Sequence, residues 1–282
     1  MRLGAIFLLG LLPWLVGCAS HDARTEMVRI PEGEFIYGPC KQRIAGRCEP
    51  REWGTSNTKV FWIDKTEVTV AAYRSCVDAG HCSEPLPWVP ETQPEFLIEI
   101  PRFEEPTGFV ESEQFCNWGR PNRDQHPINC VDWHQARDFC EWMGKRLPVE
   151  REWEKAARGV DGRRFPWGER NVPARLNIAD ETSRQELKPH WKTEPRYEDG
   201  FATTAPVGSF PQGASPYGVY DMAGNVTEWV EDQYGTFHFG RSIRGGSWQH
   251  LLWEAQSDYR IYNAPLGAFG FLGFRCARDQ AE

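Results

Sequence analysis

The feature that most restricts how this chain can fold is the set of eight cysteines that follow residue 18. An even number of cysteines in an exported protein is typical of disulfide bonds. A zinc site is the alternative, but the sequence has no C-x-x-C pair and its seven histidines are scattered. The spacing suggests three local bridges and one long one, in the pairs Cys40–Cys48, Cys76–Cys82, Cys116–Cys130 and Cys140–Cys276.

The N-terminus supports export. After Arg2, residues 3–16 form an apolar run that is shorter than the roughly 20 residues of a bilayer span and typical of a signal-peptide core. The run leads into Leu15-Val16-Gly17-Cys18, which resembles a lipobox. An ordinary secretory signal followed by a chance cysteine is the alternative. We therefore expect a signal peptide over 1–17 and a mature chain that begins at a lipidated Cys18 and is anchored in a membrane by its acyl chains.

The remaining sequence indicates one domain on a short tether. Residues 18–26 form the tether, and 27–278 the domain, because no linker or sustained charge run divides them. Ala19 and Ser20 follow the lipidated cysteine in place of the Asp that often retains such proteins at the inner membrane. We therefore expect a cell-envelope location, with the outer membrane favoured. A net charge of −8 without a basic stripe argues against nucleic-acid binding.

Periodicity and capping residues predict a few short elements within a loop-rich chain. A strand–turn–strand is expected over 27–36 and a strand over 60–63. Residues 81–127, rich in Pro and acid, are expected to form a long loop, and strands and turns are expected beyond Gly159. Three helices are predicted, from the cap Thr69 to about Ala79, from the cap Asp132 through Trp133–Met143, and from Pro148 to Gly159.

A series of short motifs resembles the sulfatase-modifying-factor, or formylglycine-generating-enzyme, domains. The motifs occur in family order over nearly the whole mature chain. They include Pro127-Ile-Asn-Cys-Val-Asp-Trp133, Gly144-Lys-Arg-Leu-Pro148, Phe165-Pro-Trp-Gly168, Gly218-Val-Tyr-Asp-Met-Ala-Gly-Asn225, Arg244-Gly-Gly-Ser247 and Gly273-Phe-Arg-Cys276. The resemblance implies a single α+β domain with the C-type-lectin-like fold and little regular secondary structure. It also makes 81–127 an insertion, and it supports the pairing of Cys140 with Cys276.

This sequence departs from the family at the two positions that carry the family's chemistry. Family oxidases hold copper with two thiolates, placed at the third and eighth positions after the Ser of R-G-G-S. Here those positions are His250 and Ala255. Because paired soft thiolates suit Cu(I), neither copper nor formylglycine formation is expected. The leading hypothesis is a non-catalytic, membrane-anchored module that binds a protein, peptide or glycan, with the candidate cleft residues Ser247, Trp248, His250 and Trp253.

Two other functions stay open. One is an enzyme of the same family, either a formylglycine-generating oxidase or a divergent oxidoreductase. The other is a diversified surface ligand-binding protein, although residues 248–272 contain a single Asn where such variable segments tend to be Asn-rich.

Calcium is the cofactor that the resemblance implies. Each of the family's two sites combines side-chain oxygens with backbone carbonyls, a mixture that suits Ca²⁺. The matching residues here are Asn177, Ile178, Asp199 and Phe201 for the first site, and Asp221, Gly224, Val226 and Glu228 for the second.

Overall fold

The structure is a computed structural model. It describes residues 26–38, 43–44, 47–48, 54–85, 112–170, 174–188, 191–195, 197–234 and 240–280. The expected signal peptide, the lipidation site Cys18, and the Cys40–Cys48 pairing lie outside the described residues, as does most of the expected insertion. No helix in the described ranges is long and apolar enough to cross a membrane.

The described strands form four small sheets. The sheet that carries the candidate site has the strand order β10–β7–β8–β9, with β10 parallel to β7 and the other pairs antiparallel. A second sheet has the order β1–β6–β11 and is antiparallel, and two hairpin-sized sheets pair β2 with β5 and β3 with β4. The strands are β1 (Met27–Ile30), β2 (Gly33–Ile36), β3 (Arg43–Ile44), β4 (Arg47–Cys48), β5 (Thr55–Thr58), β6 (Phe61–Asp64), β7 (Thr227–Gln233), β8 (Arg241–Arg244), β9 (Arg260–Asn263), β10 (Leu272–Phe274) and β11 (Ala277–Asp279).

The first two strands do not pair with each other as a hairpin. Two strands form within 27–36, as the sequence predicts, but they join different sheets. β1 pairs with β6, whereas β2 pairs with β5. β2 begins at Gly33, which has φ 125°, a backbone conformation that glycine adopts without a steric penalty.

Helices form where the sequence predicts them. α1 (Val70–Asp78) begins after Thr69, whose hydroxyl accepts the Ala72 N–H. α2 (Trp133–Trp142) begins with a reciprocal capping box between Asp132 and Gln135. α3 (Glu150–Arg158) has no side-chain cap from Val149, but Glu152 accepts the Val149 N–H at 3.1 Å.

The expectation of only strands and turns beyond Gly159 is wrong. A fourth helix, α4 (Glu181–Leu187), begins at Asp180, whose carboxylate accepts the Ser183 N–H, and ends at Lys188 in the left-handed conformation. Its seven residues make too few turns for hydrophobic periodicity to stand out, so the capping pattern was its main sequence signal.

Three of the four expected bridges are present as disulfides: Cys76–Cys82, Cys116–Cys130 and Cys140–Cys276. The long bridge ties α2 to the segment between β10 and β11, inside the core that α1 and α2 form with the larger sheet. A second core packs α3 against the inner face of β1–β6–β11.

The C-terminal end of the expected insertion belongs to the packed domain. Asn117 is buried, its N–H donates to Asn129 Oδ1 at 2.7 Å, and its side-chain amide donates to the Pro127 carbonyl. Buried amide bonds and the Cys116–Cys130 disulfide therefore hold this end of the segment on the core, as expected for a loop that is tied by a disulfide.

Candidate functional site

The candidate cleft is built where β8 ends in the Arg244-Gly-Gly-Ser247 turn. Arg244 is fully buried, and its guanidinium donates to Glu150 and Glu154 of α3, which fixes the strand end against that helix. Gly246 has φ 67°, and a Cβ there would lie 2.9 Å from the Glu254 carbonyl oxygen. Only glycine therefore allows the 250–255 segment to lie directly against the turn.

Ser247 and His250 form a closed hydrogen-bonded pair. Ser247 Oγ lies 2.6 Å from His250 Nδ1, and the same oxygen accepts the Gln249 N–H at 3.2 Å. Burial lowers the pKa of His250 to about 4, so the imidazole is neutral at physiological pH. Ser247 is completely buried, and His250 packs edge-on against Phe271. A serine enclosed in this way offers no hydroxyl to a substrate, so the pair supports the turn.

The second thiolate position is an apolar core residue. Ala255 is completely buried, in a cluster with Leu176, Ile178, Tyr197 and Ala223. With a methyl group at one position and a bonded imidazole at the other, the two positions present no soft, paired donor set. The cysteines whose side chains the structure describes are all in disulfides. The residues present do not fit copper in the family's manner.

The candidate aromatic residues separate into core and surface. Trp248 is buried, contacts Trp191 and Phe115, and donates its indole N–H to the Gly270 carbonyl. Trp253 is 52% exposed and meets Tyr259 edge-to-face, with ring centroids 5.1 Å apart. Of the four predicted cleft residues, Trp253 alone is therefore available to a large ligand.

The first predicted calcium set comes together in the fold. Asn177 Oδ1 is buried without a hydrogen-bond partner, which is costly unless a donor or a cation meets it. Asp199 is bonded to the next residue along the chain, because its carboxylate accepts the N–H groups of Ile178 and Phe201 at 3.0 and 2.9 Å. Burial and the nearby charge of Asp180 raise the pKa of Asp199 to about 7. An orphaned oxygen and a carboxylate that lacks a counter-charge fit a hard cation such as Ca²⁺.

The carboxylates of the second predicted set are already hydrogen-bonded to other groups of this chain. Both carboxylate oxygens of Glu228 accept from Arg275, at 2.7 Å each, and one also accepts the Trp153 indole N–H. Arg275 therefore already supplies a positive charge to Glu228. Asp221, in the left-handed region at φ 55°, accepts the Gly208 N–H. The first set fits a cation better than the second.

One buried carboxylate at the second set was missed by sequence reasoning. Glu67, completely buried, accepts from the Asn225 side chain and the Val226 N–H and is hydrogen-bonded to Asp221. Burial, and after it the nearby charge of Asp221, raise the pKa of Glu67 well above its usual value. An acidic residue between the apolar β6 strand and the cap Thr69 was the one available signal.

Across the described parts of the chain, no group of three or more His, Cys, Asp or Glu side chains is placed to hold a metal ion. Any calcium at the first set would therefore rely on the Asn177 amide oxygen and on backbone carbonyls as well as on Asp199.

Comparison with known proteins gives a consistent result. The sequence matches the sulfatase-modifying factor enzyme 1-like domain over residues 16–280. It is 32% identical to the formylglycine-generating enzyme of Streptomyces coelicolor, covering 93% of this chain and 92% of that protein. It is also 32% identical to the inactive C-alpha-formylglycine-generating enzyme 2 of Mus musculus, covering 95% and 91%. Among solved structures, PvdO from Pseudomonas aeruginosa has a similar fold, with a TM-score of 0.64, 24% identity and coverage of 92% and 96%.

Proposed function

This chain belongs to the sulfatase-modifying factor enzyme 1-like family, and from that premise we propose that it is a non-catalytic member. In this proposal it acts as a calcium-stabilised binding module, held on the cell envelope by a lipid at Cys18.

The observation that carries the proposal is the state of positions 250 and 255. His250 is neutral and bonded to Ser247, while Ala255 is completely buried and has no donor atom. Restoring the chemistry would require two thiolates that face one ion, and the described cysteines are consumed by disulfides. A relative of similar coverage is itself named as inactive, so loss of activity with retention of the domain has a precedent in the family.

A binding role is supported by the surface next to the closed cleft. Trp253, which is 52% exposed, and the half-buried Tyr259 lie in the segment that follows the R-G-G-S turn and form an edge-to-face pair. Large, rigid aromatic side chains supply contact area at a low cost in conformational entropy, so they are common at recognition surfaces for proteins, peptides and sugars. We therefore expect a ligand that packs against these two aromatic rings.

Calcium would act as a structural ion in this proposal. The Asn177 and Asp199 oxygens would hold it between the segment before α4 and the 199–203 turn, which Asn177 also joins by donating to the Thr203 carbonyl. The ion would supply the counter-charge that Asp199 lacks and would stabilise a region with little regular secondary structure.

The direct test is an oxidase assay on the purified protein. A peptide containing Cys-x-Pro-x-Arg is incubated with the protein, with and without Cu(I), and formylglycine is measured by mass spectrometry. We expect no conversion. The S. coelicolor enzyme, under the same conditions, serves as the positive control. Formylglycine made by the unmodified protein would overturn the proposal and favour the enzyme alternative.

A double variant tests whether the cleft is still able to bind copper once the two cysteines are restored. His250→Cys with Ala255→Cys should create Cu(I) binding if the two positions still face one site. The single variant His250→Cys is the matched control, because one thiolate should not hold the ion with comparable affinity.

A further inference from the structure

The outer face of the β1–β6–β11 sheet carries an aromatic residue between two arginines. In the strand register, Arg29 of β1 and Arg278 of β11 both lie directly opposite Trp62 of β6. Their neighbours along the strands, such as Ile30 and Ala277, point into the core. Alternation of side chains in the strands therefore places all three residues on one outward surface, with both arginines exposed.

Further cations lie near this outward surface. Those described next are close to carboxylates, whereas the two arginines of the surface are not paired. Lys145 pairs with the buried Asp64 at 2.6 Å, and Arg146 lies between Glu152 and Asp279. Lys59 lies near enough to help lower the pKa of Asp279. Lys145 and Arg146 are thus matched by carboxylates, whereas among the described residues neither of the exposed arginines, Arg29 and Arg278, has an ion-pair partner.

This surface is concave and carries a local positive charge. Trp62, Lys145, Arg146, Arg278 and Asp279 line an open concavity of about 860 Å³. The chain as a whole carries a net charge of −8, so a locally positive surface with a central indole is not the average surface of the protein. Its electrostatic partner is an anion or an anionic surface.

The start of the domain lies on the same sheet. β1 begins at Met27, nine residues after Cys18, and a chain of that length spans at most about 30 Å. If a lipid holds Cys18, the sheet that contains β1 is therefore confined near the bilayer. This step depends on the lipid anchor of the proposed function.

We propose that the Arg29–Trp62–Arg278 surface rests on anionic phospholipid headgroups and orients the domain on its membrane. Each unmatched Lys or Arg near such a surface strengthens binding by about fivefold, and indole rings favour the headgroup level. These contributions are too small to replace an anchor but sufficient to select one orientation of a tethered domain. The opposite side of the domain is then left free for ligands.

The experiment uses a chain that begins at Ala19, which cannot be lipidated but retains every residue that the structure describes. Co-sedimentation is measured with vesicles of phosphatidylcholine alone and with vesicles that also contain phosphatidylglycerol, at low ionic strength. We expect binding only to the phosphatidylglycerol vesicles, reversed by added salt. Arg29→Glu with Arg278→Glu should lower the partition coefficient by about tenfold or more.

A matched variant reverses two exposed cations elsewhere. Lys188→Glu with Lys192→Glu changes the net charge equally, in the segment of α4 and Trp191 that packs in a separate cluster. This control should bind as the parent chain does. No binding to phosphatidylglycerol vesicles, or an equal loss in both double variants, would overturn the proposal. Because the assay contains no lipid anchor, failure of lipidation at Cys18 cannot produce either result; it would appear separately, as a protein released from cell membranes.

Discussion

Removal of the long disulfide should cost more stability than removal of a short one from the same core. Cys140–Cys276 closes a loop with a sequence separation of 136, whereas Cys76–Cys82 closes one of 6. In the chain-entropy model these loops correspond to about 5 and about 2.2 kcal/mol of stabilisation. The comparison is well matched because all four cysteines are buried in one hydrophobic cluster.

The perturbation is therefore a pair of double variants, Cys140→Ala with Cys276→Ala and Cys76→Ala with Cys82→Ala. Alanine keeps the Cys276 N–H that donates to Asp64 Oδ2 at 3.0 Å, so that bond does not enter the comparison. Loss of sulfur packing is similar in the two cases. We expect the first double variant to lose about 2.8 kcal/mol more of the free energy of unfolding than the second.

The assay is urea unfolding of the parent and both double variants, followed by tryptophan fluorescence, with the slope m compared before free energies are subtracted. Equal losses in the two variants, or a larger loss from the short loop, would refute the argument from loop length. A double variant of the long bridge that does not fold would itself agree with the larger loss, provided that the short-loop variant folds.

Three further predictions follow from single sites. Cys18→Ser should block maturation of the precursor and release the protein from membranes, and a fully processed variant that still fractionates with membranes would contradict lipidation. Chelation of calcium should lower the melting temperature by roughly 5–10 °C if the ion is present at about 100 times its Kd, and by less in Asp199→Asn. An unchanged melt together with no calcium in elemental analysis would remove the ion from the proposal. Burial and the Arg123 charge lower the pKa of His126 from 6.5 to about 4, so the unfolded state takes up the proton first as pH falls. Stability should be lost between about pH 6.5 and 4, by about 2 kcal/mol at pH 5, and His126→Gln should flatten that loss in urea unfolding.

Local features of the sequence located most of the helices and the three described bridges. The α2 cap is an example, since Asp132 and Gln135 are three residues apart and their reciprocal bonds need no other part of the fold. The loss of the thiolates was also visible in the sequence, because counting from Ser247 within one motif requires no tertiary information. α4 was missed because its signal is a cap followed by too few turns.

The roles of the aromatic and charged residues were decided only by packing. Trp248 and Trp253 are five residues apart in one segment, yet the first is enclosed by Trp191 and the second is at the surface. Burial of one indole depends on contacts with side chains from distant segments, and no local sequence pattern predicts those contacts.

The sequence by itself therefore determined that His250 and Ala255 stand at the two thiolate positions, where most of the helices lie, and which cysteines lie close enough along the chain to pair. Tertiary structure decided that Glu228 would be bound by Arg275 rather than left free, and that Glu67 would be buried next to Asp221. It also decided that Arg29, Trp62 and Arg278 would form one surface. The physical reason is that hydrogen bonding, capping and periodicity act over a few residues, whereas strand order and the pairing of buried charges depend on which distant segments the whole fold brings into contact.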